Sequence, residues 1–405
     1  MTDHPDRKNR RQFIVGGLSG LAAAGLAPDR LGATEAVPTT DPEIVTRKLG
    51  ATGLELPLVS MGVMNADNPN LVAAALDSGI KMLDTAHWYQ RGRNEEIVGQ
   101  VIKDRPRDAF VLATKARAST GDRSEVQDSN KATRESEASF IQKVELSLER
   151  LHADYVDILY LHSCKSREDA LDEMALSAMQ KLKKQGKIRH IGVSTHSNQP
   201  EVIEAALESG VYEVVLTAYN FKSTNREELE LAMKRAADKG LGVVAMKTQA
   251  GVFWDKERTQ PIPMKAALRW ALRQGFVHTA IPGFTTFDQL EDDLLVMKDP
   301  KLTAEEAASL ENEKKMAGLY CQQCGTCLDQ CPADLEIPVL MRGYMYAHGY
   351  RNLLTAKDVV SGLGNGDLPC ATCASCSVRC PQAFDVRERA LDVARIGRIP
   401  DDFLV

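Results

Sequence analysis

The chain has 405 residues, of which 43% are hydrophobic and 26% charged, and its net charge is −6. This is the balance of a globular protein and more chain than one ordinary domain uses. A weakly acidic composition excludes the general basic footprint of a nucleic-acid binder, so no nucleic acid is expected as a partner.

The first segment, "RKNRRQFIVGGLSGLAAAGLAP", is basic, then weakly apolar over residues 13–27, then rich in small residues. The apolar part is short for a membrane span of roughly 20 residues. The order is that of an export signal. Arg10 and Arg11, followed by Gln12, Phe13 and Ile14, resemble the twin-arginine signal, which routes folded cargo across a membrane. Residues 1–36 therefore read as export signal and linker, with cleavage near Ala33 or Ala36. An uncleaved anchor and a disordered basic tail are the alternatives. The expected partner is the twin-arginine export machinery, and the expected location is periplasmic or otherwise extracytoplasmic.

Next, "VTRKLGATGLELP" reads as a small hairpin plugging the floor of a barrel. Eight strand-then-helix units then run in order. The strands fall at 58–64, 80–85, 110–114, 155–161, 188–194, 213–219, 242–247 and 277–282. They are short, apolar and often β-branched, as strands buried on both faces are. Helical patterns such as "SFIQKVELSLERLHAD" lie between them. Strands alternating with helices predict a parallel sheet, and eight units predict a (β/α)8 TIM barrel over residues 45–300. No Gly-x-Gly-x-x-Gly follows the first strand, which removes the motif of the doubly wound alternative. Polar "ARASTGDRSEVQDSNKAT" is a long loop on the face where barrel active sites form. "TAEEAASLENEKKMAG" predicts a connecting helix within 301–318.

Four residues fall at strand ends around one barrel mouth: Asp84, Tyr89, Lys115 and His162. Taken singly they have plainer readings, as an N-cap, a rim aromatic, a solvated lysine and a satisfied polar group. Together they make chemistry. A carbonyl that accepts a hydride must receive a proton on oxygen, and a tyrosine can give it. Its ordinary pKa near 10 makes it a reluctant acid, which a nearby Lys115 ammonium is expected to correct. Asp84 would orient Lys115, and His162 would polarise the carbonyl.

The stretches "RKLGATGLELPLVSMG", "GIKMLDTAHWYQRGRNEEIVGQVI", "LATK", "SLERLHADYVDILYLH", "IGVSTH" and "AIPGFTTFDQLEDDL" resemble the aldo/keto reductase family. The resemblance implies that Asp84, Tyr89, Lys115 and His162 are its catalytic tetrad. It also implies a nicotinamide, NADP or NAD, held without a Rossmann fold. The matching positions are Ser194, Thr195, Tyr219 and Asn220 around the carboxamide. On the phosphate and adenine side they are Gly283, Thr285, Thr286, Gln289, Asp292 and Asp293. Leu216 replaces a usual glutamine, and Gly283 and Gln289 replace the lysine and arginine that hold a 2′-phosphate in many members. Lys247, in "VVAMKTQAG", either points into the mouth toward an anion or is a plain rim lysine.

The last predicted domain, 319–395, holds eight of the nine cysteines. "CQQCGTCLDQCP" and "CATCASCSVRCP" each run Cys-x-x-Cys-x-x-Cys-x-x-x-Cys-Pro. The spacing lets three thiolates wrap one 4Fe–4S cube while the fourth leaves for another, as in two-cluster ferredoxins. Cys321, Cys324, Cys327 and Cys380 would hold one cube, and Cys370, Cys373, Cys376 and Cys331 the other. Zinc is the alternative, but structural zinc sites usually pair two short cysteine spacings. "IPVLMRGYMYAHGYRNLLTAKDVV" between the motifs is helical and resembles the small, mostly helical ferredoxin domain of reductase subunits. The arrangement as a whole resembles the aldo/keto reductases that end in a dicluster ferredoxin domain. It implies an exported iron–sulfur oxidoreductase acting on a small carbonyl or alcohol, with clusters that are structural or serve a redox protein partner. The rival is an electron-transfer protein whose barrel is a scaffold.

Overall fold

The computed structural model describes residues 43–118, 136–363 and 368–404. The expected export signal and most of the long polar loop lie outside these residues. A short antiparallel hairpin comes first, β1 (Thr46–Lys48) against β2 (Glu55–Pro57). Eight parallel strands come after it: β3 (Met61–Gly62), β4 (Met82–Asp84), β5 (Val111–Ala116), β6 (Val156–Cys164), β7 (Ile188–Thr195), β8 (Val214–Ala218), β9 (Gly242–Met246) and β10 (Thr279–Ala280). A parallel bridge between Val59 and Ala280 closes the ring. All eight expected units are present, and the barrel is the predicted one.

The period of two along each strand separates two apolar layers. In β6, Ile158 and Tyr160 join the barrel interior, while Leu159 and Leu161 face the helices. Leu49 and Leu56 of the hairpin segment fill the lower interior. Arg47 fixes that plug by donating to the carbonyls of Leu272, Gln274 and Val277 beneath β10. The hairpin therefore closes the floor, and the chemistry is confined to the opposite end.

The helix Ala304–Glu313 starts at a capping box of Thr303 and Glu306 and leads out of the barrel. Trp254 Nε1 donates to Glu313 at 2.9 Å, and Lys222 donates to the carbonyls of Lys314 and Met316. The C-terminal module has its own core, in which the helices Ile337–Tyr344, Leu353–Val360 and Val386–Ala394 pack together. A Cβ at Gly343 would come 2.6 Å from Val360 Cγ1, so its absence sets the closeness of the first two. Its core also takes in Ile396 and Leu404. Barrel and module belong to one compact unit, Pro42–Val405. Among the described residues no helix is long and apolar enough to cross a membrane.

Gly192 in β7 leaves the space that the ring of Tyr160 occupies inside the barrel. Gly192→Ala forces that ring to move in a packed interior. The expected loss is about 1–3 kcal/mol, read as a lowered midpoint of thermal unfolding. An unchanged midpoint would mean the Tyr160 ring has room to spare.

Candidate active site and thiol sites

Asp84 ends β4 and Lys115 lies near the end of β5, on neighbouring strands in parallel register. Lys115 Nζ donates to Asp84 Oδ1 and, at 2.7 Å, to the carbonyl of Thr85. Both side chains are almost fully buried. Burial pushes the Asp84 carboxyl up and the Lys115 ammonium down, and their contact opposes both shifts.

Tyr89 opens a short turn, Tyr89–Gly92, in which Gln90 and Arg91 take φ of 52° and 57°. Lys115 Nζ lies 5.0 Å from the Tyr89 ring centre, and the His162 ring meets that ring edge-on at 5.9 Å. The four expected residues are thus brought together. The expected lowering of the tyrosine pKa is not seen. Burial, then the charge of Asp84, hold Tyr89 well above 10. Lys115 faces the ring rather than relieving the hydroxyl, and its charge is already matched by Asp84. Tyr89 is therefore a protonated phenol across the working pH range.

His162 is aimed by the end of β6, where the register slips between Leu161 and Cys164 and Ser163 takes φ 61°. Such bulges re-aim side chains beside active sites. Burial, then Arg117 and Lys115, push His162 well below its usual range, so the ring is neutral. Its Nδ1 is buried with no hydrogen-bond partner. A neutral imidazole can donate one hydrogen bond to a substrate oxygen.

One cavity opens over Asp84, Tyr89 and His162, and module residues Arg342, Tyr346 and Tyr350 form part of its wall. They occupy positions i, i+4 and i+8 of "RGYMYAHGY", one face of a helix. That spacing was the available signal for them. Nothing local says that the face meets a barrel. Arg117 and His196 also line the cavity, two residues beyond Lys115 and one beyond Thr195.

The expected nicotinamide contacts divide. Lys247 and Gly283 line the cavity. Ser194 is buried, accepting from Ser163 N at 2.9 Å and donating to the Leu161 carbonyl at 3.3 Å. Thr195 donates to the Ser197 carbonyl at 2.7 Å, and Asn220 to that of Lys247 at 3.1 Å. Tyr219 points into the helix layer, where its hydroxyl meets Glu230 at 2.6 Å and Arg273 at 2.9 Å. In these four wall residues the polar groups have partners within the chain. Thr286 caps the helix Phe287–Lys298, and Gln289 accepts from Thr285 N at 2.8 Å. Asp292 pairs with Lys265 at 2.7 Å. Asp293 is buried beside Gln249, and burial holds its carboxyl well above the usual range. These five lie outside the cavity lining.

The thiols group crosswise, as the spacing predicts. The electrostatic neighbours of Cys321 are Cys327, Cys324 and Cys380, and those of Cys370 are Cys331, Cys373 and Cys376. Cys321, Cys324, Cys327 and Cys380 surround a small cavity with Ile337, Met341 and Phe384. None of the eight is in a disulfide. Among the described residues no three His, Cys, Asp or Glu side chains converge closely enough for a single metal ion. Four thiols around one such space are the ligand set of a four-iron cube. Cys164 is alone and buried in the barrel's outer layer.

Comparison with known proteins agrees with this geometry. Residues 60–266 match the Aldo/keto reductase family, and residues 320–384 match the 4Fe-4S dicluster domain. The uncharacterized oxidoreductase YqkF of Bacillus subtilis (strain 168) is 28% identical over 303 residues, covering 66% of this chain and 96% of that protein. Aldo-keto reductase YhdN of the same organism is 39% identical over 127 residues, 31% of this chain and 36% of that one. The solved structure of aldo-keto reductase AKR11C1 from Bacillus halodurans (holo form) superposes with a TM-score of 0.53 at 25% identity, covering 67% of this chain and 96% of that chain. With its closed barrel, its buried Lys115–Asp84 pair and its second domain of crosswise thiols, the chain belongs to the aldo/keto reductase family and is an oxidoreductase that carries a C-terminal 4Fe–4S dicluster domain.

Proposed function

We propose that this chain reduces a carbonyl or oxidises an alcohol in the cavity between barrel and module, and that two cubes in the module exchange electrons with that cavity. The observation that carries the reading is a helix shared by both sites. Ile337, Pro338 and Met341 line the thiol cavity, while Arg342, Tyr346 and Tyr350 line the barrel cavity. The two sites are thus about one helix diameter apart, on the order of 10 Å. Tyr320, next to Cys321, has Tyr350 and Tyr346 as electrostatic neighbours, which supports a short path.

Reduction of a carbonyl takes two electrons and two protons. The cubes, when bound, would pass one electron at a time, so that two of them could recharge a two-electron donor in the cavity once per turnover. Tyr89 gives one proton to the oxygen and takes it back in the oxidising direction. Neutral His162 holds the oxygen in line by one hydrogen bond, and the Lys115–Asp84 pair fixes the floor beneath Tyr89. A reduced nicotinamide, the class that the family resemblance implies, would supply the other proton and both electrons together as hydride.

Purified anaerobically, the protein is expected to hold about eight irons per chain. A folded protein with two zinc ions and no iron would end the cluster reading. Dithionite-reduced protein given NADP or NAD and a panel of aldehydes and ketones should lose its reduced-cluster EPR signal as alcohol forms. Tyr89→Phe should slow alcohol formation by roughly 10²-fold or more with iron content unchanged. Unaltered turnover in that variant would move the chemistry elsewhere, and full cluster chemistry without any carbonyl turnover would favour a barrel that is only a scaffold. Cluster reduction by NADPH or NADH would add nicotinamide to the site.

The reading includes export. A twin-arginine signal carries folded cargo, so the cubes are inserted first. Replacing Arg10 and Arg11 by Lys should retain an iron-loaded protein inside the cell; the double variant found outside would refute export.

A further inference from the structure

The cavity beneath the module carries more positive than negative charge. Among the described residues Asp84 is the single carboxylate in its lining, and Lys115 already matches it. Three further cations line the same space: Arg117 and Lys247 from the barrel and Arg342 from the module. Arg117 stacks on Trp88 at 4.5 Å. Lys247 Nζ lies 5.8 Å from the ring centre of Tyr346 and 5.4 Å from that of Tyr350. Neither the Arg342 guanidinium nor Lys247 Nζ has an ion pair or hydrogen bond with a described residue. His162 and His196 also line the cavity, and each has a buried Nδ1 without a partner among the described residues. Arg117 and Arg342 act electrostatically on both rings. The positive charge therefore stands beside the reacting position and not out at Thr285 and Thr286.

Cations gathered in a partly desolvated space repel one another unless an anion joins them. We propose that Arg342 and Lys247 hold a carboxylate or phosphate group of the substrate, so that the ferredoxin-like module supplies a specificity residue to the barrel's site. The position of the reacting carbonyl or hydroxyl, beside Tyr89 and His162, rests on the proposed oxidoreductase function; the anion site itself does not. Arg342 has the geometry for the task, since a guanidinium fork receives carboxylate or phosphate oxygens two at a time. An aldehyde or ketone bearing an acid group is the substrate class, and a neutral one lacks the anchor.

The test uses anaerobically purified holoprotein and calorimetric titration with succinate and with inorganic phosphate. The unaltered protein should bind at least one of them. Arg342→Gln should weaken that binding roughly 10–100-fold, the worth of a hydrogen bond to a charged group, and Arg342→Lys should restore part of it. The cluster spectrum checks that the module stays folded. Lys247→Gln tests the same site from the barrel, where the module's folding is not at stake. Tyr89→Phe should keep the binding, so a failure of carbonyl chemistry is read separately from a failure of the anion site. No binding by the unaltered protein, or equal binding by both charge variants, overturns the proposal. So does a loss confined to ADP-ribose, which would assign the cations to a cofactor pyrophosphate.

Discussion

At the centre of the barrel mouth an ammonium and a carboxylate touch, and neither meets water. Two charges withdrawn from solvent in this way gain little net stability, but removing one partner alone leaves the other stranded at a cost of roughly 3–5 kcal/mol. The Lys115–Asp84 contact is therefore a constraint more than a reinforcement. It ties the end of β4 to β5, and the Thr85 carbonyl is drawn into the same grip. It also presents Tyr89 with an ammonium at its ring face. Burial first, and then the charge of Asp84, keep the Tyr89 hydroxyl above its ordinary value.

The loop that carries Tyr89 is held from both sides. From within the barrel, Arg150 donates to the His87 carbonyl at 2.9 Å and pairs with buried Glu95. From the module, Asp358 and Asp401 receive Arg91 at 2.5 and 2.7 Å. Gln90 donates to the Met64 carbonyl at 3.0 Å. Left-handed backbone at two successive non-glycine residues costs on the order of 1–3 kcal/mol each and persists only where surroundings enforce it. Pairs as exposed as Arg91–Asp401 are individually weak. Here they act on a strained turn, so module docking and the placement of Tyr89 are one event.

The barrel was legible because its signals are local. Short strands buried on both faces read as apolar runs, and the tetrad sits where strands end. The 4Fe–4S dicluster domain was legible because its cysteine spacing is a local pattern. Two things were not. The face of Arg342, Tyr346 and Tyr350 is regular, but its partner is a surface more than two hundred residues away in places. And Ser194 matches a cofactor-holding position, yet its hydroxyl is spent on Ser163 N, because the positive φ of Ser163 turns that amide inward. A motif gives the residue; whether its polar group is free depends on the backbone beside it.

A phenol held above its ordinary pKa is a poor acid toward a neutral carbonyl and a good one toward an alkoxide, whose basicity exceeds its own. As the proposed proton donor, Tyr89 would keep its proton until electrons have reached the substrate. The timing is useful in a site joined to clusters. A donor that released its proton early would leave a phenolate beside Asp84, two negative charges in a space with little water. The surrounding cations ease negative charge on the substrate without lowering Tyr89 enough to deprotonate it, since only Arg117 among them opposes the upward shift. On that proposal proton transfer follows reduction, and an anionic group on the substrate offsets part of the charge of the surrounding cations.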